Sequence, residues 1–234
     1  VKPRVFVDAP LEHAGEVSLE DAAAHHLARV LRLREGDTLT VFNGRGGEWA
    51  AEFIGRRRVR LRAFDAVERE SPLRIVLVQG VSSGERMDYT IQKAVELGVA
   101  TIQPLITKRG VVRLEGHRAS ARVDHWRKIA IAACEQCGRN RIPEVLPLLE
   151  LNRYRPAGNG PRLLLSAQGR SIREVKLETE ATIAAGPEAG FAPEEQAALE
   201  RAGFVKASLG PRVLRTETAA LAALAAINAL RGDF

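Results

Sequence analysis

The chain has 234 residues, 45% hydrophobic and 27% charged, which suits one large or two small globular domains, each with a real core. Its longest apolar run, at 219–226, is too short to span a bilayer, and two cysteines three apart do not make a disulfide framework. The opening residues from Val1 to Arg4 lead into a strand-like run with no signal-peptide pattern, so a cytoplasmic location is expected.

The net charge of +6 is unevenly spread. Residues 1–70 carry 12 basic and 12 acidic side chains, residues 142–234 carry 11 of each, and residues 71–141 carry 12 against 6. A local basic surface is the footprint expected for a phosphate backbone, and a mixed solubilising surface is the bland alternative.

Short strands are expected at 4–7, 38–42, 48–54 and 58–63. The glycine-rich segment from Asn43 to Gly47 forms a hairpin turn between the second and third. One helix fits 20–32, with Ala24, Leu27, Val30 and Leu31 on its apolar side. This is a small β-barrel pattern, and the polar stretch 68–72 closes it at a domain boundary near residue 70.

From Leu73 the rhythm changes. Unalternated apolar runs at 74–78, 102–106, 162–165 and 181–185 suit strands buried on both faces of a parallel sheet. Helices alternate with them. The first follows a capping-box spacing from Ser82 to Glu85 and ends near Gly98, with Met87, Ile91, Ala94 and Val95 buried and Arg86, Thr90 and Lys93 on a polar face. The second runs over 120–137, with Val123, Trp126, Ile129 and Ala133 inward and Gly138 as its stop. The third opens with Pro193, Glu194 and Glu195, and the last covers 216–230. An α/β domain over 71–234 is expected. The last helix is apolar almost all round, so it is either a core helix or a subunit interface.

Three segments carry candidate chemistry. Gly186, Pro187, Glu188 and Gly190 lie between a buried strand and a helix, where glycines let a ligand reach the backbone; a plain strand-to-helix turn is the alternative. Residues 209–218 set a Gly-Pro loop before Arg212 and Arg215, cations suited to a phosphate or carboxylate, and before Thr216, a plausible helix cap. Residues 134–143 gather Glu135, Arg139, Asn140 and Arg141 at a helix end. The C-x-x-C pair there has no second pair to complete a zinc site, so no metal is expected. The G-x-G-x-x-G and Walker signatures are absent from the sequence.

In this order, HLARVLR at 26–32, GERMDYTIQKAVELGV at 84–99, WRKIAIAACEQCGRNRIP at 126–143, GPE at 186–188 and LGPRVLRTETA at 209–219 resemble the RsmE family of ribosomal RNA uridine-N3 methyltransferases, in the SPOUT superfamily. The likeness covers nearly the whole chain. It implies a PUA-like barrel over 1–70 and a SPOUT domain over 71–234 with a C-terminal trefoil knot. It also implies a homodimer, S-adenosylmethionine as cofactor, and 16S RNA of the small subunit as partner, with no membrane and no metal. Cofactor contacts would come from Leu165, Ser166, Gly186, Pro187, Glu188, Gly190, Leu209, Gly210, Val213, Leu214 and Thr216. Catalysis would fall to Glu135 or Glu217 as base, and to Arg139, Arg215 or Arg86 as stabilisers of the uracil anion. RNA contacts would include Arg4, Arg29, Arg32, Arg45, Arg86, Lys93 and Asn140. Relatives usually carry two glycines after Pro-Glu; here Ala189 takes the first place, and its methyl group would crowd a position needing positive φ. Competing readings are a ribose 2′-O methyltransferase of the same superfamily and a non-catalytic RNA-binding assembly factor.

Overall fold

The computed structural model describes residues 2–112 and 114–234, apart from the side chains of Ala22 and Val30. The expectations for Val1 and for the Val30 side chain therefore lie outside the described residues. Two compact units emerge: Val1–Glu70 with Cys134–Ile142, and Ser71–Ala133 with Pro143–Phe234.

The first unit is built on a five-stranded sheet in the order β1 (Arg4–Phe6), β3 (Thr38–Phe42), β4 (Glu48–Phe53), β5 (Arg58–Asp65), β2 (Gly15–Ser18). Only the β1–β3 pair is parallel. The alternation along β4 turns Trp49, Ala51 and Phe53 inward onto Val5, Leu39, Val41, Val59 and Leu61. Trp49 keeps its indole N–H satisfied on the Leu11 carbonyl at 3.1 Å. Strand β2 was not expected from the sequence; most of its side chains are exposed, so it carries no hydrophobic signal. The helix expected over 20–32 is shorter and changes winding: α1 (Asp21–His25) passes into a π-helical turn, His26–Val30. Ala24 and Leu27 are buried as expected, whereas Leu31 is exposed because the wider turn ends before it.

The second unit is an all-parallel sheet of seven strands. Six run in the order β12 (Phe204–Ser208), β10 (Arg162–Ser171), β11 (Glu180–Ala185), β6 (Arg74–Gly80), β7 (Thr101–Ile106), β8 (Glu144–Val145), and β9 (Leu149–Glu150) also pairs with β7. Ile75, Leu77, Val78, Ile102, Leu105, Leu163, Ile183 and Ala184 are almost wholly buried, as befits strands covered on both faces. Strand β12 went unread in the sequence; Val205 and Lys206 interrupt its apolar pattern at the sheet edge. The helices are α2 (Gly84–Glu96), α3 (Gly116–Cys137), α4 (Pro193–Arg201) and α5 (Thr216–Arg231). Helix α3 starts four residues before the expected Ser120, and its Ile129 is only half-buried. Gly98 and Gly138 follow α2 and α3 with φ of 80° and 90°, the left-handed stop that glycine supplies.

Two capping expectations fail. Ser83, not Ser82, precedes α2, and its hydroxyl leaves the helix for Glu188. Thr216 lies inside α5, whose cap is Arg215. Thr90, expected on a polar face, is 1% exposed and donates back to the Arg86 carbonyl.

Helix α5 packs on α2, β6 and β11. It is pinned there by Asn228, fully buried, which donates to the Leu97 carbonyl at 2.8 Å and accepts from the Ser71 hydroxyl at 2.7 Å. Asn228→Ala strands both partners. We expect a loss of about 1–3 kcal/mol in urea unfolding, and an unchanged midpoint would show the bond to be dispensable.

Candidate functional site

The sheet order fixes where a ligand pocket belongs. From β6 the chain first builds outward through β7 and β8, then returns to add β11, β10 and β12 on the other side. The reversal lies between β6 and β11, and the carboxyl ends of strands at such a point open into a crevice.

At that point the backbone is packed too closely for ordinary side chains. A Cβ at Gly80 would sit 2.5 Å from Pro187 Cδ, and one at Gly186 would sit 3.0 Å from Gly190 Cα. The loop closes on itself through Gly190 N–H to the Pro187 carbonyl at 2.8 Å. Gly190 takes the positive φ of 68°, and Ala189 has no positive φ, so its methyl group is accommodated.

Gln79, fully buried at the end of β6, donates its amide to Thr216 Oγ1 at 3.1 Å and to the Gly80 carbonyl at 2.9 Å. Thr216 Oγ1 in turn donates to the Gly186 carbonyl. One polar chain thus joins the ends of β6 and β11 to the start of α5.

Next to this junction, β10 loses register with β12: Leu165 and Arg170 both face Ala207, so 166–169 bulge outward. Gly169 allows it, since a Cβ there would lie 2.5 Å from the Ala207 nitrogen. The bulge and the loop after β12 enclose a cleft of about 120 Å³ lined by Leu165, Ser166, Ala167, Leu209, Gly210, Arg212, Val213 and Leu214, among others. Six of the eleven expected cofactor residues therefore share one cleft, and Gly186, Pro187, Gly190 and Thr216 form the neighbouring junction. Val213 is 91% exposed, an apolar side chain without cover. The sequence reading missed Gln79, Ala167 and Gly169. A glycine four residues past an apolar strand was the available signal for the last.

Glu188 turns away from this cleft. Its carboxylate accepts from the Ser83 backbone N–H at 2.9 Å, the Ser83 hydroxyl at 2.7 Å and Arg86 at 3.1 Å. Burial acts to raise its pKa, but these donors and its own backbone N–H outweigh burial and hold it at about 2.

A second hollow of about 510 Å³ lies at the start of α5, lined by Glu85, Arg86, Asp88, Tyr89, Gln92, Ile129 and Glu217. Glu217 Oε2 is buried there without a hydrogen-bond partner among the described residues. That oxygen is free to accept a hydrogen bond from a ligand. Arg215 is exposed just before it.

The other expected site residues have different occupations. Glu135 accepts from the Phe6 backbone N–H at 2.9 Å, and burial raises its pKa. Arg139 is 5% exposed and grips Glu70 with its Nε and Nη2. Arg4 binds Glu48 at 2.6 Å and the Asn140 amide oxygen at 2.7 Å; Asn140 is wholly buried and donates to the Val67 carbonyl. All four side chains are engaged within the first unit, Arg4 and Asn140 among them. Burial opposes ionisation of Glu48, yet Arg69 and Arg4 bring its pKa down to about 2. Arg29, Arg32 and Arg45 are exposed. Lys93 pairs with Glu96 at 2.7 Å. Among the described residues no three His, Cys, Asp or Glu converge as metal ligands, and no helix is long and apolar enough to cross a membrane.

Comparison with known proteins gives a consistent picture. The RNA methyltransferase domain family matches residues 69–228, and the RNA methyltransferase PUA domain family matches residues 19–64. The ribosomal RNA small subunit methyltransferase E of Buchnera aphidicola subsp. Acyrthosiphon pisum is 34% identical over 99% of this chain and 95% of its own. Two solved structures cover both chains fully. One is a methyltransferase of Legionella pneumophila with bound cofactor SAM, at 38% identity and a TM-score of 0.95. The other is the ribosomal RNA small subunit methyltransferase E of Neisseria gonorrhoeae bound to S-adenosyl methionine, at 39% identity and a TM-score of 0.92.

The Glu188 contacts carry a pH signature. A carboxylate whose pKa falls from 4.5 to about 2 on folding adds stability above pH 4.5 and loses it as the pH drops toward 2. The stability gap between wild type and Glu188→Gln should therefore be full at neutral pH and close across that window. A gap independent of pH in chemical unfolding would reject the assignment.

Proposed function

The chain belongs to the ribosomal RNA small subunit methyltransferase E family, and from that membership we propose that it transfers a methyl group from S-adenosylmethionine to N3 of a uridine in the decoding region of 16S RNA. The observation that carries this reading is the junction of the Gly186–Gly190 loop with Thr216 at the sheet's reversal point, beside the cleft of Leu165 and Leu209.

The residues present suit the cofactor. Leu165, Leu209, Val213 and Leu214 offer apolar cover for an adenine, and the backbone at Gly190 and Gly210, where a Cβ would meet nothing within 4 Å, leaves room for close approach beside Gly186, Pro187, Ser166 and Thr216. When bound, the sulfonium supplies an electrophilic methyl group. The protein must hold the acceptor nitrogen in line and remove its proton. We assign proton removal to Glu217, whose Oε2 has no other partner, and stabilisation of the resulting oxyanion to Arg215 or Arg86. Glu135, Arg139 and Glu188 are assigned bracing roles because their side chains are already engaged.

Arg29, Arg32 and Arg45 remain as RNA contacts on a PUA-like domain spanning 1–70, with catalysis in 71–234. We read the return of the chain from edge strand β12 to the β6–β11 junction as the trefoil knot of the superfamily. Helix α5 keeps Leu221, Ala222, Ala225 and Ala226 only half-buried, and we read that face as the seat of a second copy in a cytoplasmic homodimer.

Glu217→Gln tests the mechanism. With unmodified small subunits, kcat should fall about 10²–10⁴-fold, while calorimetric affinity for S-adenosylmethionine stays near wild type. Undiminished turnover would remove Glu217 as base. Mass mapping that placed the label on a ribose would overturn the N3 assignment.

A further inference from the structure

The sheet of the second unit carries a polar row where the rest of it is apolar. Strand pairing sets Thr182, Val76, Thr101 and Glu144 side by side across β11, β6, β7 and β8. All four line one hollow of about 210 Å³, so they share a face of the sheet, and Gln103 follows two residues along β7 on that face. Arg74, Thr101, Glu144 and Glu180, which also line it, are the first residues of their strands. The hollow therefore lies at the amino ends of these strands, away from the crevice at the carboxyl ends of β6 and β11.

Strands covered on both faces are normally apolar throughout. Here Thr101, Gln103 and Thr182 are only 6%, 6% and 5% exposed. Gln103 donates its amide to the Pro104 and Pro147 carbonyls, both at 2.9 Å. Its amide oxygen and the two threonine hydroxyls have no hydrogen-bond partner among the described residues. Buried polar groups without partners cost stability, and valine would fill the threonine positions without that cost. Three such groups lining one hollow point to a ligand.

The opposite wall runs from Tyr154 to Gly160 and is already fixed. Glu180 accepts from the Asn159 and Gly160 backbone N–H groups at 2.8 and 3.0 Å, and Arg162 donates to the Gly158 carbonyl at 2.9 Å. A Cβ at Gly160 would lie 2.4 Å from the Glu180 carbonyl oxygen, so glycine is what lets this wall come so close. Tyr154 brings an aromatic ring, and burial pushes its phenol up to about 12, so it keeps its proton. The charged lining is balanced, Arg74 and Arg155 against Glu144 and Glu180.

We propose that this hollow binds an uncharged planar heterocycle of nucleobase size. The ring lies over Val76 and is covered by Tyr154, while its polar edges reach the Thr182 and Thr101 hydroxyls and the Gln103 amide oxygen. With strands about 4.8 Å apart, the two threonines stand roughly 9–10 Å apart at their Cα atoms, a span suited to a ring system with polar groups at both ends. Sites for drug-sized ligands run to roughly 300–1,000 Å³, so this smaller hollow suits one ring system and not a whole nucleotide. Its balanced charge gives a phosphate no advantage.

The test uses the full chain saturated with S-adenosylmethionine, so that the cofactor cleft is closed to the probe. Adenine is titrated in by ligand-observed NMR, and its position is mapped from methyl shifts of the labelled protein. Val76 and Leu146, which line the hollow, should shift, while Leu165 and Leu209 stay still. Thr101→Val/Thr182→Val should weaken adenine at least tenfold and raise the ligand-free Tm by roughly 2–4 °C. Tyr154→Leu should weaken it several-fold with both hydroxyls in place. The proposal is overturned by absence of adenine uptake, by shifts confined to Leu165 and Leu209, or by unchanged affinity in the double valine variant. A lower Tm in that variant also overturns it, since the hydroxyls would then serve the fold. Turnover on small subunits tests the methyl-transfer reading separately, and the two can fail independently.

Discussion

The second unit depends on one buried polar chain: the Gln79 amide to the Thr216 hydroxyl, and that hydroxyl to the Gly186 carbonyl. Segments more than a hundred residues apart in sequence meet at these few atoms. Inside a protein, hydrogen bonds of this kind cost much if broken and specify one arrangement when complete. The chain fixes the end of β11 beside the start of α5. The cleft and the Glu217 hollow are both built on α5's first turns, so both inherit their position from this contact.

Small residues make the junction possible. Gly80 and Gly186 let the backbone close to distances that a methyl group would forbid, and Gly169 lets β10 bulge against β12. The charged groups nearby divide by occupation. Glu188 accepts three hydrogen bonds on its Oε1, while Glu217 keeps an oxygen in reserve. The two acids lie on the same unit, yet one is held by three donors and the other keeps a buried oxygen without a partner among the described residues.

Much of this was legible from the residues. Apolar runs locate β6, β7, β10 and β11, and the Gly-Pro-Glu and Leu-Gly-Pro segments stand out in the sequence itself. Local pattern failed where long-range pairing decides. Strand β12 is an edge strand broken by Lys206, and β2 is exposed along most of its length. Arg4 and Asn140 look like surface groups in sequence, but partners more than a hundred residues distant enclose them. Likewise the spacing offers Ser82 as the helix cap, whereas Ser83 holds that place and Glu188, from a remote loop, takes its hydroxyl. The π turn is invisible to a periodicity of 3.6, which continues the helix through Leu31.

The C-x-x-C pair at the end of α3 has a practical corollary. Cys134 is buried, its thiol rests 3.7 Å from the Arg141 carbonyl, and burial pushes its pKa up to about 12. Cys137 is partly open. Because only thiolate reacts with electrophiles, a maleimide dye at neutral pH will discriminate between neighbours one helical turn apart. The native chain therefore comes with a single labelling position at the helix terminus, usable for fluorescence or spin-probe studies without engineering.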